Sequence, residues 1–214
     1  PEENYGLLLK GEGDVSVEYN LASFENDDAA LRPVLFVQYA MPTVTPTPIP
    51  GASPTPGQLR ALVIEAVGDA ALSSWVPDSN YGSSPYLPLR TFGCKRPIFY
   101  FPLDGIPAGA TIHRATLRAK TSGPSGKELG VGVVSVIREW AEYEVTWNVA
   151  RIGQQWASPG ASAEGIDRSA ETACRADVSG GERWRDREVT YLVRDLLEGA
   201  LPNHGLMLLC DQDS

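Results

Sequence analysis

Asn4-Tyr5-Gly6-Leu7-Leu8-Leu9 and Asn203-His204-Gly205-Leu206-Met207-Leu208 are two copies of one strand-like phrase near opposite ends of a 214-residue chain. The two copies continue differently. The first runs on into two further strand-like segments, Val15 to Phe24, whose apolar residues alternate with polar ones as in a half-buried strand, and the apolar run Pro33 to Tyr39. The second is followed only by Leu209 to Ser214. The sequence therefore reads as out of phase: a body at 59–214 without its closing strands, and closing strands at 1–40 without a body. An unpaired sheet edge invites a strand from elsewhere. Gly205, Leu206, Met207 and Leu208 are the expected acceptor edge. Leu7, Leu8, Leu9, Val15, Val17, Tyr19, Leu21, Phe24, Val34, Leu35, Phe36, Val37 and Tyr39 are the expected donor residues.

Between the two parts, residues 41–58 carry six prolines and almost no charge. Such a segment cannot form a helix or a central strand. It favours extended polyproline geometry at about 3.1 Å per residue, a reach of roughly 50 Å. Thr43, Thr45, Thr47, Ser53 and Thr55 sit among those prolines as in O-glycosylated stalks, a compositional resemblance only. No Asn-x-Ser/Thr sequon occurs.

The body reads as all-β. Strand candidates are 60–66, 71–75, 86–90, 97–101, 111–119, 129–136, 187–191 and 205–209. Turns rich in proline, glycine and asparagine separate several of them, at 76–82, 106–109 and 122–126. One helix is expected over 189–198, where Val189, Leu192, Val193, Leu196 and Leu197 share a face and Gly199 can end it. A jelly-roll-like sandwich of two sheets buries this many short alternating strands.

Composition narrows the function. Eighteen basic and 27 acidic residues give a net charge of −9, which repels a nucleic-acid backbone. Arg183, Arg185 and Arg187, alternating around Trp184, read as one solvated strand face rather than a polyanion site. No run approaches the roughly 20 apolar residues of a membrane span, and the first residues do not resemble a secretion signal. Cys94, Cys174 and Cys210 lack metal-site spacing; one disulfide with a spare thiol and three buried thiols both remain open.

Four segments resemble the DNRLRE-type β-sandwich domain of secreted and cell-surface bacterial and archaeal proteins, which is related to the family 96 carbohydrate-binding modules. They are 69–87 (DAALSSWVPDSNYGSSPYL), 99–117 (FYFPLDGIPAGATIHRATL), 136–148 (VIREWAEYEVTWN) and 189–208 (VTYLVRDLLEGALPNHGLML). The run W-x-E-x-E-V-T-W-N is the most specific. Members of that family continue from the Asn-Tyr-Gly-Leu-like strand into strands resembling Val17–Glu25 and Arg32–Tyr39. In this sequence those segments lie in front of the spacer. The resemblance implies an extracellular or cell-surface location and makes polysaccharide a candidate partner.

Three arrangements of residues 1–40 are open: folding back onto their own body, insertion into a neighbouring chain, and insertion into an adjacent repeat of one polypeptide. The stiff spacer favours donation to a neighbour. Donor and acceptor at opposite ends give head-to-tail contacts, which extend into open filaments unless they close a ring. The expected function is thus a structural filament subunit or repeat. The alternative is a carbohydrate-binding or adhesion module, with Trp75, Tyr81, Tyr86, Trp140, Trp147, Trp156 and Trp184 as stacking candidates.

Catalysis is not expected. His113 and His204 lack a nucleophile context, and Glu139, Glu142 and Glu144 fall inside the family-like motif. Gly123 to Glu128 imitates part of a phosphate loop but reads as a turn. No cofactor is expected beyond a structural Ca2+ with Asp69, Asp78 and Asn80 as its candidate oxygen ligands.

Overall fold

A computed structural model describes residues 17–42, 58–91, 94–123 and 128–210. Its strands are β1 (Glu18–Ala22), β2 (Val34–Ala40), β3 (Leu59–Glu65), β4 (Gly68–Ser73), β5 (Tyr86–Arg90), β6 (Lys95–Tyr100), β7 (Thr111–Ser122), β8 (Glu128–Ser135), β9 (Val149–Arg151), β10 (Gln154–Gln155), β11 (Ala173–Ser179), β12 (Arg183–Glu188) and β13 (Leu206–Cys210). A 3-10 turn covers Ala29–Leu31, and the helix α1 covers Thr190–Leu197. The fold is all-β as expected, an antiparallel β-sandwich with a small second sheet formed by β9 and β10.

Strand order in the large sheet is β11-β8-β13-β6-β5-β1-β7-β2-β3, with β4 added to β6 and β12 added to β7. Side-chain alternation sorts its residues into two cores. On the inner face, Tyr19, Leu21, Leu35, Val37, Leu87, Leu89, Phe99, Leu117, Val131, Val133, Leu206 and Leu208 form the main core. Leu192 and Val193 of α1 pack into it. On the other face of β4, β6, β8 and β13, Ala70, Leu72, Ile98, Val134 and Met207 meet Val145, Ala150 and Trp156, so the long connection between β8 and β11 roofs a second core. Helix α1 ends where the sequence predicts: the Ala200 N–H bonds back to Asp195 O, and Gly199 takes φ 75°.

The body is not open in this chain. β1 lies between β5 and β7, and β2 lies between β7 and β3. The N-terminal strands therefore close their own sandwich, the fold-back arrangement, instead of standing apart as a free donor segment. The expected acceptor edge is also corrected. Leu206, Met207 and Leu208 belong to β13, which pairs with β6 on one side and β8 on the other, and Gly205 O accepts from the Val136 N–H. The second copy of the phrase lies in an interior strand, whose Leu206 and Met207 are paired on both sides.

The reading of β12's alternating arginines as one solvated face holds for exposed Arg183 and is corrected for Arg185 and Arg187. Trp184, Asp186 and Glu188 are exposed, while Arg187 is buried and Arg185 half-buried. A guanidinium offers five N–H donors. Arg187 spends them on the carbonyls of Asp186 and Ala176, and Arg185 on those of Ser179 and Gly180. Half-buried carbonyls of β11 and the bend after it, with the strand's own Asp186 carbonyl, receive Arg185 and Arg187.

Candidate functional site

The slot that holds β1 and β2 is built by β5, β7 and β3. Along β1 the register runs from Glu18↔Arg90 to Ala22↔Tyr86, and Leu21↔Thr121 ties its end to β7. β2 pairs through all seven of its residues with β3, from Val34↔Glu65 to Ala40↔Leu59, and on its other side with β7. Of the expected donor residues, Val17, Tyr19, Leu21, Leu35, Val37 and Tyr39 are buried. Val34, Phe36 and Phe24 are only half-buried, because strand alternation turns Val34 and Phe36 to the outer face. There the Arg118 guanidinium lies 4.9 Å from the Phe36 ring centre and pairs with Asp186. Leu7, Leu8, Leu9 and Val15 fall outside the described residues, as do Thr43, Thr45, Thr47, Ser53 and Thr55.

Polar contacts fix the seating of β1. The Tyr19 hydroxyl accepts from the Gly180 N–H at 3.1 Å. Glu18 meets Arg90 at 3.2 Å and Lys95 at 2.9 Å. Burial works to raise the Glu18 pKa, but Lys95 and Arg90 outweigh it and hold the carboxyl below its ordinary value.

Just past β1, the chain turns at Phe24 and Glu25 and brings three carboxylates together. One oxygen from each of Glu25, Asp69 and Glu142 lies within 4.8 Å of the others. Asp69 is fully buried on β4. Its Oδ2 accepts from the Phe24 N–H at 2.6 Å, and its own N–H donates to Glu142 Oε1 at 2.8 Å. Asp69 Oδ1 and Glu25 Oε2 are buried without a hydrogen-bond partner among the described residues. The described ion pairs include none of the three acids. Burial, with the charge of Glu25 beside it, pushes the Asp69 carboxyl up to about 8. Glu142 is raised by the same two causes, in the same order. Tyr143, out in solvent, is raised by the charge of Glu142.

Neighbouring loops hold Glu142 in place. Asn80 Nδ2 donates to the carbonyls of Glu142 and Val145, each at 2.7 Å. A Cβ at Gly82 would overlap the Glu142 carbonyl, so the 76–84 turn reaches this close only with glycine there. The expected ligand set is therefore corrected. Asp69 belongs to the cluster, but Asp78 accepts from Asn148 Nδ2 and Asn80 serves as the clamp. Glu25 and Glu142 are the partners that sequence spacing did not reveal.

Beside Glu142 opens a cleft of about 420 Å³ lined by Val67, Gly68, Tyr100, Glu139, Trp140, Asn203 and His204. Trp140 Nε1 donates to His204 O at 2.7 Å, and burial lowers the pKa of the His204 imidazole. His113 is exposed on β7. The three glutamates of the 139–144 run have separate partners: Glu139 pairs with Arg151, Glu142 joins the acidic cluster, and Glu144 accepts from the Ile152 N–H. Among the stacking candidates, Trp75, Tyr86 and Trp184 are exposed, Tyr81, Trp140 and Trp147 are half-buried, and Trp156 is core. Arg90 sits 3.8 Å from the Trp75 ring centre. Cys94, Cys174 and Cys210 are not joined by a disulfide. No helix among the described residues is long and apolar enough to cross a membrane.

No protein-family model, curated protein or solved structure matches this chain.

Proposed function

We propose that this chain is a structural β-sandwich subunit or repeat of an extracellular filament, in which β1 and β2 are exchanged between neighbouring copies. One observation carries the proposal. Ala40 and Leu59 are directly paired partners on adjacent strands, yet eighteen residues, six of them proline, connect them. Adjacent strands lie about 4.8 Å apart, and a hairpin needs only two to five residues to join them. A linker with a reach of roughly 50 Å suits a span between sandwiches far better than a step to the next strand. The slot is the same in either arrangement, since every contact made within one chain is available between two copies of it.

The sequence resemblance to DNRLRE-type domains supports an extracellular setting, and the role is structural rather than catalytic. The test is to replace residues 41–58 with a two-residue Asn-Gly turn and compare particle size by light scattering and electron microscopy. The natural chain is expected to form concentration-dependent oligomers or fibres, and the short-turn variant a monomer. A natural chain that stays monomeric at millimolar concentration refutes strand exchange.

A second function, binding of polysaccharide, is favoured by the cleft that places Tyr100, Trp140, Asn203 and His204 around one opening. Aromatic faces with a few polar groups suit a sugar ring. Titration with an array of oligosaccharides, with Tyr100→Ala as the control, tests it; no binding by the natural chain excludes it.

A further inference from the structure

We propose that Glu25, Asp69 and Glu142 bind a divalent cation of the calcium type, which pins the connection between β1 and β2 to the body of the sandwich. The inference deepens the strand-exchange proposal, because Glu25 belongs to the exchanged segment while Asp69 and Glu142 belong to the body that receives it. It does not depend on exchange, since the same three acids meet within one chain.

Three carboxylates in mutual contact are common on surfaces and signify little there. Here Asp69 is fully buried, and its Oδ1 lies in the cluster with no hydrogen-bond donor among the described residues. Glu25 Oε2 is in the same condition. A buried carboxylate oxygen without a donor costs free energy until a proton or a cation reaches it. No described lysine or arginine is ion-paired to the cluster, so the described residues supply no counter-charge of their own.

Ligand chemistry selects the ion. All three groups are carboxylate oxygens, which suits hard cations and disfavours zinc or copper. They come from a turn, a strand and a loop, an irregular set that fits the tolerant coordination of Ca2+ better than the strict octahedron of Mg2+. The neighbouring cleft borders Glu142 and Gly68, with room beside Glu142 for waters that would complete the shell. Asn80 and the close approach at Gly82 fix the backbone of Glu142 before any ion arrives.

The mechanical consequence comes from where the ligands sit. Phe24 and Glu25 lie just beyond the end of β1, and the Phe24 N–H already binds Asp69 Oδ2. A cation bridging Glu25 to Asp69 and Glu142 would cross-link the inserted strand to its host at the point where it leaves the sheet. Removal of β1 would then require release of the ion, so strand exchange becomes slow in calcium and fast in a chelator.

The experiment uses the full chain, stripped with EDTA and titrated near neutral pH with CaCl2 and separately with MgCl2, by calorimetry and by thermal unfolding. One Ca2+ per chain, a raised Tm and weaker binding of Mg2+ are expected. Glu25→Gln lies on a turn at the surface of the cluster and should leave the fold intact while weakening Ca2+ binding about tenfold or more. Absence of both heat and Tm shift at millimolar Ca2+, or a Glu25→Gln variant that binds as tightly as the natural chain, overturns the proposal. Particle size measured on the same samples keeps the two ideas apart. A calcium-binding monomer removes exchange and leaves the cation site standing; an exchanging oligomer indifferent to calcium does the reverse.

Discussion

Asp69→Asn has a predicted sign opposite to that of most core substitutions. Unfolded, the Asp69 carboxyl titrates near 4; folded, burial and the neighbouring Glu25 charge push it up to about 8. Between those values the folded state holds a proton that the unfolded state has released, so the stability of the cation-free chain falls as pH rises from about 4 to about 8. At about 1.4 kcal/mol per pH unit over roughly four units, the cost of ionising Asp69 has a ceiling of about 6 kcal/mol. Asparagine keeps the shape, still accepts from the Phe24 N–H, and turns an amide donor toward the Glu25 oxygen that lacks one. In EDTA at about pH 8 the variant should therefore be more stable than the natural chain by about 2–4 kcal/mol, and nearly equal to it at about pH 4. Added Ca2+ should reverse the order near neutral pH, because only the natural chain gains binding free energy. Urea unfolding followed by tryptophan fluorescence, in EDTA and in Ca2+, reads all of these. If Asp69→Asn is the less stable protein in EDTA at about pH 8, the account of an uncompensated buried charge is wrong.

Three other substitutions probe the slot and its surroundings. Tyr19→Ala removes a fully buried ring from β1 and the acceptor for Gly180, and should cost about 3–5 kcal/mol by chemical denaturation. Gly82→Ala forces a methyl group against the Glu142 carbonyl; a loss of about 1–3 kcal/mol, together with weaker Ca2+ binding by calorimetry, is expected. Asp167→Ala should cost about 3–5 kcal/mol in urea unfolding, since its buried carboxylate accepts from Arg138 Nε at 2.7 Å and from the N–H groups of Ala157 and Ser158.

Strand alternation and turn residues made the all-β class readable, and the 3.6-residue pattern from Val189 placed the helix within a residue at each end. The complementarity of 17–40 to the body was also legible, because two apolar strands with no sheet of their own need one. Their point of insertion was not. The repeated Asn-x-Gly-Leu phrase pointed to Gly205–Leu208, but a short apolar strand looks alike whether it lies at an edge or inside a sheet, and β13 is inside. β9, β10 and β11 were missed because they are short or largely polar on the outer face. The acidic cluster joins positions 25, 69 and 142, whose approach depends on three separate connections, and local spacing suggested Asp78 and Asn80 instead. The arginines of β12 misled for a related reason: a guanidinium is polar in sequence, yet its donors can be satisfied by carbonyls in a partly buried place.

In the described chain β1 and β2 close their own sandwich; in the proposed exchange the slot is the same, so the linker sets the balance between that closure and a neighbour's. A flexible eighteen-residue chain has a mean end-to-end distance of roughly 23 Å, and a proline-stiffened one approaches 50 Å. Closure within the chain asks for about 5 Å, far below either length, and the effective concentration of a tethered group falls as linker length and required span diverge. Exchange therefore gains on self-closure as the linker stiffens. Replacing the six prolines of 41–58 with alternating glycine and serine, at unchanged length, should shift the population toward monomer without altering the unfolding free energy per sandwich by more than about 1 kcal/mol. Light scattering over a concentration series gives the distribution, and urea unfolding gives the stability. A glycine-serine linker that leaves the oligomer distribution unchanged would show that linker stiffness does not choose between the two closures.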